Sequence, residues 1–566
     1  MTPAWAGAAQ WRVLSICVDN STDFLRVWQA WQSDPQRPAQ LHFVAVCSRF
    51  ENKAIDNTID AYVSPLAAQL DQQLWGLLPG FHRLVFEEGQ VLLTICLGEV
   101  LTMLRQQQFV ANSVFLKYQP STANALLDTV KSIARLCKPG TNFQTTSSDM
   151  RLQAGLRQCG FITAGPDGLQ ATYNPAWLSK KPLAIVPRPG TCVVIGAGLA
   201  GAAVASSLAR RGWAVTILDA APQPASGASS LPAGLLVPHT SPNDSPLSRL
   251  SRSGVRTTLQ QAHAFLRHGI DWGHTGVLQR SFKEISRDLP PAWAREQIDA
   301  ASDWCYPASA KTLAAARLPP GSTALWHVQA GWLKPCALVS AWLASPGVTW
   351  LGGAPVAKVE KSGNTWCLRD AAGIVLAEAD LIVLCAGQAS RLLAEAAGAV
   401  PPELQPVRGQ ITHGLQLDSQ RLPPFPINGH GGLIPGITTP NGAMWLMGAS
   451  YERDTSQPTL KPHDHVDNLA RLQTLLPSAV ASLEEQFHPN QAQGWAGIRC
   501  TTPNRLPVVS PLAGISNAWL CTGMGSRGLS FAALCGELLA ARLHAEPLPI
   551  EKKLAEALSY SKLRTL

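Results

Sequence analysis

Residues Thr191 to Asp219, TCVVIGAGLAGAAVASSLARRGWAVTILD, restrict the fold more than any other stretch of this chain. Cys192 to Ile195 is a short apolar, β-branched run, the pattern of a strand buried on both faces. Gly196, Gly198 and Gly201 follow at GxGxxG spacing, then an alanine-rich helix from Ala202 to Arg210. A second strand, Ala214 to Leu218, ends at Asp219. In such a unit the first glycine makes the tight turn, the second admits a pyrophosphate, and the third lets helix and strand pack closely. The helix start offers free N–H groups and a positive dipole end. Asp219 is placed to accept hydrogen bonds from a ribose hydroxyl. A lone GxGxxG is weak evidence, but here strand, helix, second strand and acid fall in register, which points to a dinucleotide site.

With 566 residues the chain exceeds one typical core, so two or three domains are expected. Hydrophobic residues make up 46% and charged residues 15%, as in globular proteins, and no apolar run reaches membrane-spanning length. The N-terminus lacks the charged and apolar regions of a secretory signal. Thirteen cysteines occur without CxxC pairs, which suits buried thiols in a reducing cytoplasm better than disulfides or a metal site. The expectation is a cytoplasmic protein with no metal and no membrane partner. The net charge of +8 is compatible with a nucleic-acid partner without establishing one.

Taken in order, residues 1–178 alternate strand and helix. Val13 to Val18 and Leu41 to Val46 read as buried strands. Leu84 to Phe86 and Val91 to Leu97 form a hairpin around Glu87-Glu88-Gly89, and Ser113 to Leu116 is a further strand. Leu126 to Leu136 is an amphipathic helix stopped by Lys138-Pro139-Gly140. The loop after the first strand, Val18-Asp19-Asn20-Ser21-Thr22-Asp23, has no glycine to let a cofactor approach the backbone. Residues 179–190 carry prolines and basic side chains and read as a linker. The second domain runs over 191–566, with a substrate subdomain near 255–325 and 405–490. Residues 250–325 look helical, Pro335 to Leu343 is a helix, and Val356 to Leu376 a hairpin. Leu381 to Leu384 is a buried strand leading to a glycine turn at Gly387. Gly409 to His413, Gly432 to Ile434 and Met444 to Gly448 read as antiparallel strands. A last strand, Ala518 to Cys521, leads through a glycine-rich turn into the helix Leu529 to Leu543.

These motifs carry a resemblance. GAGLAG with Asp219, GASS, LCAG, PVRGQ, GASYERD, GIRCTTPNRLPVV and TGMGSRGLS stand in the order seen in the D-amino-acid oxidase/glycine oxidase superfamily. More narrowly, the chain resembles the MnmC family, bifunctional enzymes of 5-methylaminomethyl-2-thiouridine synthesis in bacterial tRNA. FLRVWQAW, RPAQLHFVAV, LPGFHRLVFEEG, ARLCKPG and GLRQCGF extend it to the N-terminal half, in a degraded form. The implied fold class is α/β: a Rossmann-like methyltransferase-type domain, then an FAD-binding doubly wound domain with an antiparallel substrate subdomain. The implied activity of the second half is FAD-dependent removal of the carboxymethyl group of 5-carboxymethylaminomethyl(-2-thio)uridine at the wobble position of tRNA.

By the same resemblance, Gly196, Gly198, Gly201 and Asp219 hold the ADP part of FAD, and Ser226, Gly227, Ala228 and Ser229 run beside it. Gly387 closes over the adenosine side, and Gly525, Ser526, Gly528 and Leu529 lie near the isoalloxazine. Arg499 matches the arginine that clamps a substrate carboxylate, a task its planar fork suits; the plain alternative is a surface ion pair. Arg527 is a second anion contact or a helix-start residue, and Tyr451 either lines the cleft or packs. One departure stands at Gly432, where relatives carry a tyrosine.

In the family's methyltransferase half a glycine-rich turn, an acid after the second strand and a DGFAP segment serve S-adenosylmethionine. Here Val18-Asp19-Asn20-Ser21-Thr22, Cys47-Ser48-Arg49 and Lys117-Tyr118-Gln119-Pro120 stand there. The expectation is that S-adenosylmethionine is not bound and methyl transfer is lost. Two other readings stay open: a small-molecule oxidase of glycine or another secondary amine, and a non-catalytic RNA-binding protein that keeps flavin.

Overall fold

The structure, a computed structural model, describes residues 5–16, 21–51, 64–118, 122–164, 169–176, 188–281, 298–319, 321–417, 422–488 and 491–560. The loop residues Val18 to Asn20, Gln119-Pro120 and most of the expected linker lie outside them. The chain divides into two units, Met1–Pro187 with Ala541–Ala555, and Arg188–Ala540 with Glu556–Leu566.

The first unit is built on an eight-stranded sheet. Its centre is parallel, in the order Val91–Leu97, Gln40–Cys47, Gln10–Ile16, Ala111–Leu116, Cys137–Thr145. Gly80–Phe86 adds an antiparallel edge, hairpinned to Val91–Leu97 through Glu87–Gly89 as the sequence predicts. Apolar runs such as QLHFVAVC are wholly buried because helices cover both faces. The helix Ser21–Ser33 buries Phe24, Trp28 and Trp31, an i, i+4, i+7 stripe. Trp28 and Phe86 pack with ring centroids 4.6 Å apart.

The helix over 126–136 ends earlier than expected, at Ala134, and Lys138-Pro139-Gly140 does not stop it. Those residues belong to the strand Cys137–Thr145. They form an exposed irregularity where the register against Ala111–Leu116 shifts, and Thr141 Oγ1 donates to the Ala111 carbonyl at 2.8 Å.

Residues 541–555, which the sequence reading leaves with the second domain, pack into the first unit. Gln10 Nε2 donates to Glu546 Oε1 at 2.8 Å, Arg83 Nη2 to the Pro547 carbonyl at 2.6 Å, and Arg12 Nη2 to the His544 carbonyl at 3.0 Å. Glu546 is completely buried.

The second unit holds a six-stranded sheet in the order Val348–Leu351, Ala214–Leu218, Thr191–Ile195, Leu381–Leu384, Ala518–Thr522, Val508–Pro511. All pairs are parallel except the last. The order reverses between Thr191–Ile195 and Leu381–Leu384, which opens a crevice at their carboxyl ends. A nine-stranded, largely antiparallel sheet forms the second layer, with Gln493–Thr501 paired along Gln405–Leu415. Its core includes Trp445, Met447, Leu472 and Phe487.

The expected helical character of 250–325 holds only in part. Pro246–Phe265 is a long helix, but Val277–Arg280, Cys305–Pro307 and Ala324–His327 are strands of the nine-stranded sheet. These strands have only three or four residues, too short for alternation to show. The expected hairpin near 356–376 is a three-stranded meander, Lys358–Ser362, Thr365–Arg369, Val375–Ala379. Among the described residues no helix is long and apolar enough to cross a membrane. The described cysteines are free thiols, and apart from Cys336 and Cys500 they are buried.

Candidate cofactor and substrate site

Three glycines set the mouth of the crevice, each for a separate steric reason. Gly196 has φ +109°, and a Cβ there would stand 2.7 Å from the Cys385 carbonyl oxygen, so the turn after the first strand presses against the end of Leu381–Leu384. A Cβ on Gly201 would meet the Gly196 oxygen at 1.8 Å, so the helix Leu199–Ala209 can only start this close to the strand with glycine there. At Gly198 the neighbour is a side chain, Ser229 Oγ at 3.1 Å. Ser229 Oγ in turn accepts from the Leu199 N–H at 3.0 Å, at the helix start. Asp219 takes two backbone donors, Ala197 N–H at 2.7 Å and Ala221 N–H at 2.9 Å. An ionised carboxylate has about four lone-pair sites, so acceptor capacity remains for a hydroxyl.

A cavity of about 1100 Å³ runs from this mouth to the nine-stranded sheet. Gly196, Gly198, Asp219, Ser226, Gly227, Ala228, Ser229, Gly387, Gly525, Ser526, Gly528, Leu529 and Arg499 all line it. The structure therefore brings these expected residues together around one space. Gly201 stays behind the wall, in its packing role. Tyr451 and Arg527 line a smaller adjoining pocket of about 260 Å³, which Arg499, Gly525 and Ser526 share. The cavity is apolar over most of its wall and has a helix start and an acid at one end. Those features fit a dinucleotide such as FAD.

Arg499 stands over a glycine floor. On the paired strands Gly409 lies opposite Gly497. A Cβ on Gly409 would come within 2.2 Å of Arg499 Nη2, and one on Gly497 within 2.4 Å of the Trp495 ring. Guanidinium and indole thus lie against glycine backbone, where any side chain would displace them. Trp495 is fixed by its Nε1–H, which donates to Ser230 Oγ at 2.8 Å. Burial lowers the Arg499 pKa, with Tyr451 opposing that shift. No carboxylate of the described residues pairs with Arg499. The Arg499 guanidinium is a planar cation at the cavity wall.

The arginine of PVRGQ behaves otherwise. Arg408 is fully buried, and its guanidinium donates to Asp464 at 2.6 Å and to Gln410 at 2.6 Å. It braces the back of the strand whose next residue, Gly409, makes room for Arg499. Gly432 lines the main cavity, and a Cβ there would meet Leu235 Cδ1 at 3.0 Å, so a larger side chain requires Leu235 to move. Sequence reading missed Gly409, Trp495, Arg453 and Arg505. The first two depend on the pairing of strand positions more than 80 residues apart, while the arginines sit in the quoted motifs GASYERD and GIRCTTPNRLPVV.

In the first unit the corresponding crevice lies between Gln10–Ile16 and Ala111–Leu116, where the strand order reverses. Lys117 follows the second of these, its N–H bonded to the Ile16 carbonyl at 2.8 Å. Its ammonium lies 2.6 Å from Asp23 Oδ1, on the helix that follows the first strand. After Gln40–Cys47, Arg49 is ion-paired with Glu51. Among the described residues no group of three or more His, Cys, Asp or Glu is arranged to hold a metal.

The fold and the glycine-lined cavity define a dinucleotide-dependent oxidoreductase, and residues 191–542 match the family described as FAD dependent oxidoreductase. Residues 62–169 match an S-adenosyl-L-methionine-dependent methyltransferase family. Among solved structures, glycine oxidase from Geobacillus kaustophilus aligns with a TM-score of 0.52 at 19% identity, covering 65% of this chain and 97% of that one. L-proline dehydrogenase from P. horikoshii aligns at 0.53 and 17%, covering 67% and 99%. At that identity they establish the shared fold. The chain is 52% identical over 98% of its length to the tRNA 5-methylaminomethyl-2-thiouridine biosynthesis bifunctional protein MnmC of Polaromonas sp. (strain JS666), covering 91% of that protein. It is 34% identical over 99% to the protein of the same name from Cupriavidus metallidurans. The chain belongs to the MnmC family.

Proposed function

We propose that the second unit, with FAD bound, oxidises the secondary amine of 5-carboxymethylaminomethyl(-2-thio)uridine in tRNA and leaves the 5-aminomethyl base. The carboxymethyl group departs as glyoxylate. In the proposed arrangement Gly196, Gly198 and the start of Leu199–Ala209 hold the pyrophosphate, Asp219 the ribose, and Ser226 to Ser229, Gly387 and Gly525 to Leu529 the remaining length. FAD supplies a hydride acceptor. Arg499 takes the substrate carboxylate in its fork, which fixes the carbon between carboxylate and amine. Tyr451 lines the approach, and Arg527 adds positive potential. Loss of hydride from that carbon gives an imine, which water hydrolyses. No side-chain acid–base couple is required, because positioning accounts for the protein's part.

The observation that carries this reading is the Arg499 guanidinium, set against Gly409 at the cavity wall with no carboxylate paired to it among the described residues. The test is anaerobic mixing of the FAD-reconstituted protein with tRNA bearing the carboxymethylaminomethyl group. Flavin bleaching together with loss of that group from the tRNA is expected; an unchanged flavin spectrum overturns the assignment. A free secondary-amine acid is the other candidate substrate, and the fold shared with glycine oxidase favours trying it. Salt-sensitive binding marks the RNA substrate, since only it presents phosphates.

We further propose that the first unit no longer transfers methyl groups. An ion pair, Lys117 to Asp23, occupies the switch point where a nucleoside ligand binds in open α/β sheets. The cationic end of S-adenosylmethionine would meet a lysine where the family has an aspartate.

A further inference from the structure

The pocket of about 260 Å³ beside the main cavity contains four arginines, Arg453, Arg499, Arg505 and Arg527, and no acid among its lining residues. None of the four has an ion pair with a carboxylate among the described residues. Several other arginines of this unit are neutralised: Arg210 and Arg211 by Glu537, Arg252 by Asp244, Arg408 by Asp464. Arg527 is held below its ordinary value by burial and by the charge of Arg505. Arg505, like Arg453, is exposed, and like charges gathered without counter-ions favour an anion between them.

Backbone geometry gives a second, independent sign. Arg505 has φ +61°, the left-handed region where glycine or asparagine is favoured. It closes a tight turn in which the Arg505 N–H donates to the Thr502 carbonyl at 3.0 Å and the Leu506 N–H to Asn504 Oδ1 at 3.0 Å. The turn itself does not call for arginine. Arg453 is exposed, its guanidinium 5.9 Å from the Tyr451 ring centroid.

From this juxtaposition we propose that Arg453, Arg505 and Arg527 form a subsite for a phosphodiester of the RNA strand next to the nucleotide being oxidised. Arg499, which the pocket shares with the main cavity, takes the carboxylate. The two anions of one substrate thereby have separate seats, and the outer seat reads the RNA backbone rather than the base. The inference rests on the proposed tRNA substrate and names how that substrate is held.

The test uses the full-length, FAD-reconstituted protein and an RNA anticodon stem-loop with an unmodified wobble uridine, so that binding is independent of oxidation. Anisotropy titrations over a range of salt give affinity and the slope of log K against log salt. Arg505→Gln and Arg453→Gln are each expected to weaken binding roughly tenfold and to reduce the slope by about 1. Arg505→Lys and Arg453→Lys retain the charge and should retain the slope. Arg505→Gly relieves the left-handed backbone, so Tm should hold or rise while RNA affinity falls. Unaltered slopes in the Gln variants, loss of slope in the Lys variants, or full affinity in Arg505→Gly would overturn the subsite. If the slopes fall as expected but carboxymethylaminomethyl tRNA leaves the flavin oxidised, the oxidation reading fails and the phosphate seat stands. If oxidation proceeds and the slopes do not change, the converse holds.

Discussion

Lys117 Nζ lies 2.6 Å from Asp23 Oδ1, and the two residues come from opposite sides of the reversal in strand order of the first unit. The pair sets a lysine and an aspartate of the chain itself beside that crevice. Titrating S-adenosylmethionine into the full-length protein should therefore give no binding heat at micromolar concentrations. Lys117→Ala should not restore binding, and should cost less than about 1 kcal/mol of stability because the pair is partly exposed. Micromolar binding to the wild-type protein would end the proposal that methyl transfer is lost.

Replacement of Arg499 tests the carboxylate clamp. A bidentate, charge-assisted pair removed from a sheltered site is worth about 3 kcal/mol, or roughly a hundredfold in kcat/KM. Arg499→Lys keeps the charge but not the fork and should fall between wild type and Arg499→Ala. Rapid-reaction measurement of flavin reduction at several substrate concentrations decides it. Equal rates in all three proteins would remove Arg499 from the mechanism.

Gly409→Ala makes a sharper prediction, since it alters no polar group. Its Cβ would stand 2.2 Å from Arg499 Nη2, so the guanidinium must shift. Substrate affinity should drop about tenfold or more, with a stability cost of about 1–3 kcal/mol from overpacking. Gly201→Ala places a Cβ 1.8 Å from the Gly196 oxygen and should empty the protein of flavin instead. Flavin absorbance per mole of protein separates the two effects.

Glu537 governs acid stability of the second unit. It is buried between Arg210 and Arg211, and although burial alone would raise its pKa, the two guanidiniums hold it down at about 2, against an ordinary 4.5. A carboxyl whose folded pKa is depressed stabilises the fold above its unfolded pKa. That contribution, about 3 kcal/mol, fades as pH falls from near 4.5 toward 2. Glu537→Gln should lower Tm at neutral pH and flatten the acid limb of the stability curve. An acid limb like that of wild type would show that other carboxylates govern it.

The fold of the dinucleotide unit was legible because its chemistry is local: Gly196, Gly198, Gly201 and Asp219 act within one strand–helix–strand passage. Arg499 was singled out through its motif, but the room Gly409 leaves for it was not, since Gly409 reaches it only by strand pairing. The strands within 250–325 escaped because three or four residues carry no clear period. Lys138-Pro139-Gly140 looked like a helix stop, yet the helix had already ended at Ala134 and those residues form an exposed kink in a strand. The seat of 541–555 was invisible because its partners, Gln10, Arg12 and Arg83, stand at the other end of the chain.

That returning segment makes the two halves inseparable by a single cut. A protein severed near residue 180 would strip the N-terminal fragment of the Glu546 carboxylate and the Pro547 carbonyl, and with them one acceptor for Gln10 and one for Arg83. If methyl transfer is lost as proposed, loss of the domain does not follow from it: deleting residues 1–187 would take away Gln10 and Arg83, which hydrogen-bond the segment around the buried Glu546.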